Sequence, residues 1–212
     1  MSSTVNLPSP LEIPLNGFVD YLRTRGAARV EVATRHNRQA EEPYSPARDF
    51  YRRILAAILA GRRCGDDRPV LEHAIDAAPT SRRSNYRAVV DGWLRYLPKL
   101  ANTEHVPVQT GRWRGRNLTV RVTPHMAVRH ADGTVEALLL YLKAEPLPAA
   151  DAAAMLWLAS AAMPEACPGA SPVVVDVRRA RAYRVVPTER AFPVWLHAEA
   201  GGYRQLRVQL VD

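Results

Sequence analysis

At 212 residues, with 47% hydrophobic and 24% charged side chains, the chain is long enough for one sizeable domain and has the make-up of a globular protein. Its two cysteines, Cys64 and Cys167, exclude a zinc knuckle and a disulfide framework. No apolar run approaches the roughly 18–20 residues that span a bilayer, and M-S-S-T-V-N-L-P-S-P lacks the basic and apolar regions of a signal peptide. The expectation is a soluble, cytoplasmic protein with no membrane partner. A net charge of +8 suits an acidic partner, DNA or RNA, with a protein partner as the alternative.

The charge is concentrated early. Residues 1–117 carry 19 Lys+Arg against 12 Asp+Glu, a net of +7, and residues 118–212 carry 10 against 9, a net of +1. An Arg- and Ala-rich composition also follows from a GC-rich genome, so this basicity alone selects no partner.

Residues 1–14 hold three prolines and read as a disordered lead-in to a single domain over 15–212. Phe18, Val19, Tyr21 and Leu22 give a helix from Leu15 to Arg25, stopped by Gly26. A-R-V-E-V-A-T (Ala28 to Thr34) alternates like a short strand, and the polar residues 35–47 read as a loop. Phe50, Ile54, Leu55, Ile58 and Leu59 form the stripe of a helix from Ser45 to Gly61. Helices are also expected over Pro69 to Ala78 and Ser81 to Leu97, so residues 15–100 are mainly helical.

The period then changes from helical to alternating. Val106 to Arg114, Leu118 to Arg129 and Val135 to Lys143 read as three strands, with an Asp132-Gly133 hairpin turn between the last two. V-E-A-L-L-L-Y-L-K is apolar at nearly every position, as suits a central strand covered on both faces. A helix from Pro148 to Met163, strands over Pro172 to Arg178 and Ala182 to Val186, a short helix over Glu189 to Ala200 and a last strand over Arg204 to Val211 complete an α+β reading. There is no internal repeat.

Lys143 is one of only two lysines among 29 basic residues. Where arginine is otherwise used, a retained lysine points to a compact, titratable amine. From residue 82 the order is helix, three strands, helix, strand. That α-β-β-β-α-β order, with a lysine ending the third strand, resembles the core of the PD-(D/E)XK nuclease superfamily, a restriction-endonuclease-like fold. The resemblance implies a mixed sheet and a site near Lys143. In the superfamily one carboxylate lies near the end of the second core strand, and another lies on the third strand two residues before the lysine. Together they hold Mg²⁺ or Mn²⁺. Tyr141 and His125 occupy those positions here, and neither suits Mg²⁺. The resemblance therefore implies a catalytically degenerate nuclease-like protein that needs no cofactor, with Lys143, Tyr141 and His125 as the remnant site.

Relocated carboxylates are the route by which catalysis survives. Glu145, Glu136, Asp132, Asp49, Glu72 and Asp76 are the candidates, and Mg²⁺ or Mn²⁺ belongs to that reading alone. For nucleic-acid binding the candidates are the paired arginines Arg52, Arg53, Arg82 and Arg83, and Arg112-Trp113-Arg114, where an indole between two guanidiniums suits base stacking. Arg178 to Arg184, R-R-A-R-A-Y-R, is a second basic edge or simply a tight turn. No phosphate loop, H-E-x-x-H, G-x-S-x-G or Cys/His metal spacing occurs. A protein-interaction or assembly module, with the basic surface only solvating it, is the alternative of a different class.

Overall fold

The computed structural model describes residues 11–41 and 49–210. In chain order it forms β1 (Leu11–Pro14), α1 (Leu15–Arg23), α2 (Ala28–Glu41), α3 (Arg52–Cys64), α4 (Asp67–Asp76), α5 (Thr80–Tyr96) and a 3-10 turn at Leu97–Leu100. Next come β2 (Glu104–Val106), β3 (Gly111–Arg114), β4 (Leu118–Val122), β5 (Met126–Arg129) and β6 (Val135–Tyr141). The chain continues with α6 (Ala149–Ala166), β7 (Ser171–Asp176), a 3-10 turn at Val177–Arg179, β8 (Arg181–Tyr183) and α7 (Ala191–Gln209). The protein is α+β with mixed sheets. No described helix is long and apolar enough to cross a membrane.

One sheet has the order β2-β5-β6-β7-β8 and the other β1-β4-β3. β6 pairs antiparallel with β5 and parallel with β7, α6 making the crossover; β1 runs parallel to β4. Ala137, Leu139 and Tyr141 point into a core shared with α1, α6 and α7, and Leu138, Leu140 and the following Leu142 into a second core under α3–α5. Covering both faces is why the segment is apolar at nearly every position; each fully buried leucine contributes about 1.5–3 kcal/mol.

Several expected elements are corrected. Ala28 to Thr34 is helical: Val32 and Ala33 bury one face of α2, and Arg29 reaches Glu199 of α7 at 2.8 Å. The expected loop at 35–47 is helix up to Glu41, and its remainder lies outside the described residues. So does the expected start of the helix at Ser45. α3 begins at Arg52 and runs past Gly61, where a Cβ would meet the Asp67 Cα at 2.8 Å; the left-handed Gly65 ends it instead. Leu11–Pro14, placed in the lead-in, is β1. Val106 to Arg114 and Leu118 to Arg129 each divide between the two sheets, the second at Thr123-Pro124-His125, where proline lacks the ladder donor. Residues 204–209 of the expected final strand are instead the end of α7, whose Leu196, Ala200, Tyr203 and Arg207 lie buried along one stripe; Val211 lies outside the described residues.

Candidate functional site

Pairing of β6 with β7 ends at Tyr141 opposite Asp176. Beyond it side chains continue the ladder. Arg178 Nε donates to the Leu142 carbonyl at 2.9 Å and Arg179 Nη2 to the Ala144 carbonyl at 2.6 Å, while the buried Asp176 carboxylate accepts from Leu147 N–H at 3.1 Å. The backbone on both sides of Lys143 is thus clamped, and Arg178 and Arg179 of the R-R-A-R link are structural. From this fixed point the Lys143 amine reaches Asp20 Oδ1 on α1 at 2.8 Å. A cavity of about 220 Å³ opens there, lined among others by Asn16, Asp20, Arg23, Asp49, His125 and Tyr141.

His125 holds a position between sheet and cavity. Its backbone N–H donates to the Leu138 carbonyl at 2.9 Å, and its Nδ1 accepts from the Leu140 N–H at 2.9 Å, standing in for a strand carbonyl where Pro124 breaks the ladder. That contact puts the proton on Nε2, and burial pushes the pKa down to about 4, so the ring is neutral. One nitrogen is therefore engaged by β6. Tyr141, in the position that the superfamily resemblance gives to a carboxylate, is 7% exposed, and its hydroxyl is sealed without a hydrogen-bond partner among the described residues. Beside it Arg23 Nε donates to Asp151 Oδ2 at 2.6 Å. Lys143 and Tyr141 thus sit together with His125, as the sequence placed them.

The alternative carboxylates are dispersed. Glu136 is held by Arg184 at 2.7 Å and His130 at 3.2 Å, which keep its carboxyl below the ordinary range against the opposing effect of burial. Asp132 closes the hairpin turn on Thr134, and Glu72 faces Arg68 at 3.8 Å on α4. Glu145 and Asp76 are exposed and line none of these cavities, while Asp49 lines the Lys143 cavity. The carboxylate in contact with the amine is Asp20, which no motif spacing links to Lys143 across 123 residues. Among the described residues no group of three or more His, Cys, Asp or Glu is placed to hold a metal ion.

The paired arginines come together elsewhere. Arg52, Arg53 and Arg82 line a concavity of about 570 Å³ together with Tyr86 and one carboxylate, Asp49. Arg53 donates to the Ala77 carbonyl at 2.6 Å, and Arg83 to the Ala78 and Asp76 carbonyls at 3.0 Å each, so both satisfy carbonyls left open at the end of α4. Arg82 lies 4.9 Å over the Phe50 ring. Each guanidinium has five donors, so the bond from Arg53 to the Ala77 carbonyl orients it without using them all. Arg112 and Arg114 are exposed on β3, 3.7 Å from Glu12 and 2.6 Å from Glu165. Trp113 between them is corrected: it is 5% exposed, packed between Phe18, Trp157 and His197, and presents no face to a base. Strand alternation puts it inward where its neighbours point out.

The positions that the sequence reading missed are Asp20, Arg23, Asp176 and Arg207. Asp176 ends an apolar strand, a buried carboxylate that a polar residue in such a run announces. The others carry no local signal. Searched against protein-family models the chain has no match, and searched against curated protein sequences it has none either.

Proposed function

We propose that the chain is a non-catalytic, nuclease-like module that binds nucleic acid through the basic face of its N-terminal half. The observation that carries this reading is the convergence of Arg52, Arg53 and Arg82 on one open concavity, with Arg53 and Arg82 oriented by backbone carbonyls. Guanidiniums gathered on one concavity suit the phosphate backbone, and the net of +7 in residues 1–117 draws a polyanion to that half. The restriction-endonuclease-like arrangement remains part of this proposal, supported by the helix–strands–helix–strand order and by Lys143 two residues past the end of β6. Lys143 is neutralised by Asp20, and the position two before it is a tyrosine, so the remnant site orients no metal-bound water.

Fluorescence anisotropy with single- and double-stranded DNA and RNA, at low and physiological salt with Mg²⁺ or Mn²⁺ present, tests it. Expected is binding that falls steeply with salt while the oligonucleotide stays intact. Salt-independent affinity or no binding at low salt overturns it, and cleavage moves the reading to an active enzyme with relocated carboxylates.

A second reading rests on α7. Val194 is 68% exposed and Trp195 38%, close to Val185 in sequence, which is 85% exposed. Exposed apolar residues on one helix favour a protein-interaction module. Binding to a partner that Val194→Asp abolishes, with no oligonucleotide affinity, would select this reading.

A further inference from the structure

A cavity of about 1230 Å³ extends from the Lys143 site between β1, α1 and α2 to the end of α7. Arg207, in the last turn of α7, lines it although only 8% exposed. A guanidinium this buried is costly to desolvate and is ordinarily met by a carboxylate. Among the described residues Arg207 has none. Its Nε donates to Asn37 Oδ1, its Nη1 to the Tyr203 hydroxyl at 2.8 Å, and its charge lies 5.7 Å from the Tyr203 ring centre. Among the described residues the Nη2 donors have no acceptor.

From Arg207 the hydrogen bonds run in one direction. The Tyr203 oxygen accepts from Arg207, so its own proton goes to His36 Nδ1 at 2.9 Å, and His36 carries its proton on Nε2. Burial, with the guanidiniums of Arg35 and Arg207, lowers the His36 pKa to about 4, so the ring is a neutral donor. Arg35 lines the same cavity. Glu12 and Asp20 on its wall are engaged, by Arg121 at 3.1 Å and Lys143 at 2.8 Å; Asp49 lines the Lys143 cavity as well, and Glu31, one turn before Arg35, is exposed. The α2–α7 end therefore offers two guanidiniums and an imidazole N–H, a set of donors.

We infer that this end of the cavity binds the phosphate group of a phosphomonoester, with Arg207 as the fixed anchor, Arg35 as the second cation and His36 as a third donor. The dianion matches the two guanidiniums in charge, and its oxygens match donors that the protein leaves unused. The inference goes beyond the nucleic-acid reading and does not depend on it, since the phosphate belongs either to a strand end or to a small molecule.

The test titrates inorganic phosphate into the full chain at constant ionic strength, followed by calorimetry and by arginine Nε–H shifts. Saturable binding that chloride does not reproduce is expected, weakened about tenfold or more in Arg207→Gln and about threefold or more in Arg35→Gln. Arg35 is exposed, so its variant keeps the comparison meaningful if Arg207→Gln fails to fold. No binding by the folded wild type, or unchanged affinity in either folded variant, overturns the inference. Oligonucleotides with 5′-phosphate and 5′-hydroxyl ends separate the sources. Tighter binding of the phosphorylated end assigns the phosphate to a strand end, and equal affinities beside intact phosphate binding assign it to a small molecule. Phosphate binding with no oligonucleotide affinity at all refutes the nucleic-acid proposal and leaves this one standing.

Discussion

The two faces of β6 are packed to different ends. Toward α3–α5, Leu138, Leu140 and Leu142 meet Ile58, Tyr86 and Trp93 in a core whose polar contacts are few, such as Trp93 Nε1 donating to Asp67 at 3.3 Å. Toward α1 and α6, Ala137, Leu139 and Tyr141 share their layer with His125; Leu139 and Tyr141 border cavities, and beyond them lie Lys143–Asp20 and the Arg207–Tyr203–His36 chain. The first face is sealed at Leu138 and meets the Lys143 cavity only toward the strand's end, at Leu140 and Leu142; the second has polar groups around open space at Leu139 and Tyr141. A single apolar strand supports both because its side chains alternate.

Core truncation gives the largest test of this contrast. Leu138→Ala, on the dry face, is expected to cost about 3–4 kcal/mol in urea denaturation, and Leu139→Ala, which already borders a cavity, nearer 2 kcal/mol. Equal losses would mean that both faces are equally close-packed, and the comparison would fail.

Acid sharpens it next. His36 and His125 are both neutral in the fold with pKa values lowered to about 4, whereas in the unfolded chain they take up protons near 6.5. Their stabilising contribution is present above about pH 6.5 and is lost as pH falls toward 4, by up to about 1.4 kcal/mol per pH unit for each ring. Thermal melts between pH 7 and 4 should show this loss, and His125→Gln should reduce the slope by roughly half. A flat profile would show that the open face does not hold its histidines neutral.

Smaller effects separate structural from binding arginines. Arg83→Ala releases two carbonyls at the end of α4 and is expected to cost about 1 kcal/mol in chemical denaturation. Arg112→Gln and Arg114→Gln, on exposed ion pairs, should leave the melting temperature unchanged. If either contacts phosphate, the log–log salt slope of oligonucleotide binding drops by about one. A stability loss there with no change in slope would make these arginines scaffold.

Periodicity carried much of the fold. The stripes of α3 and α5, the Asp132-Gly133 turn and the doubly covered β6 follow from spacing and turn chemistry alone. The reading failed where tertiary partners decide. Val30 and Val32 alternate with charges as in a strand, yet α2 needs only Val32, Ala33 and His36 turned toward α1 and α7. Gly201-Gly202 looks like a helix end, but α7 runs through both, and a Cβ at Gly202 would crowd the Tyr21 hydroxyl at 3.3 Å, so the glycine serves packing there. Misreading α7 also hid Arg207. At the site, Lys143 stood out by composition, whereas Asp20 is its partner only because α1 folds over the end of β6, a contact that no local pattern encodes.

The bonds between α2 and α7 span about 170 residues, and β1 docks beside β4 more than a hundred residues later. On the ribosome, at roughly 5–20 residues per second, α2 waits about 10–30 s for the helix that buries it. α3 and α4, by contrast, are neighbours in the chain and meet as they emerge. Part of the earliest-made structure is thus the last completed, and a nascent chain stalled before α7 exposes Val32, Ala33 and the Tyr21 ring to whatever is nearby.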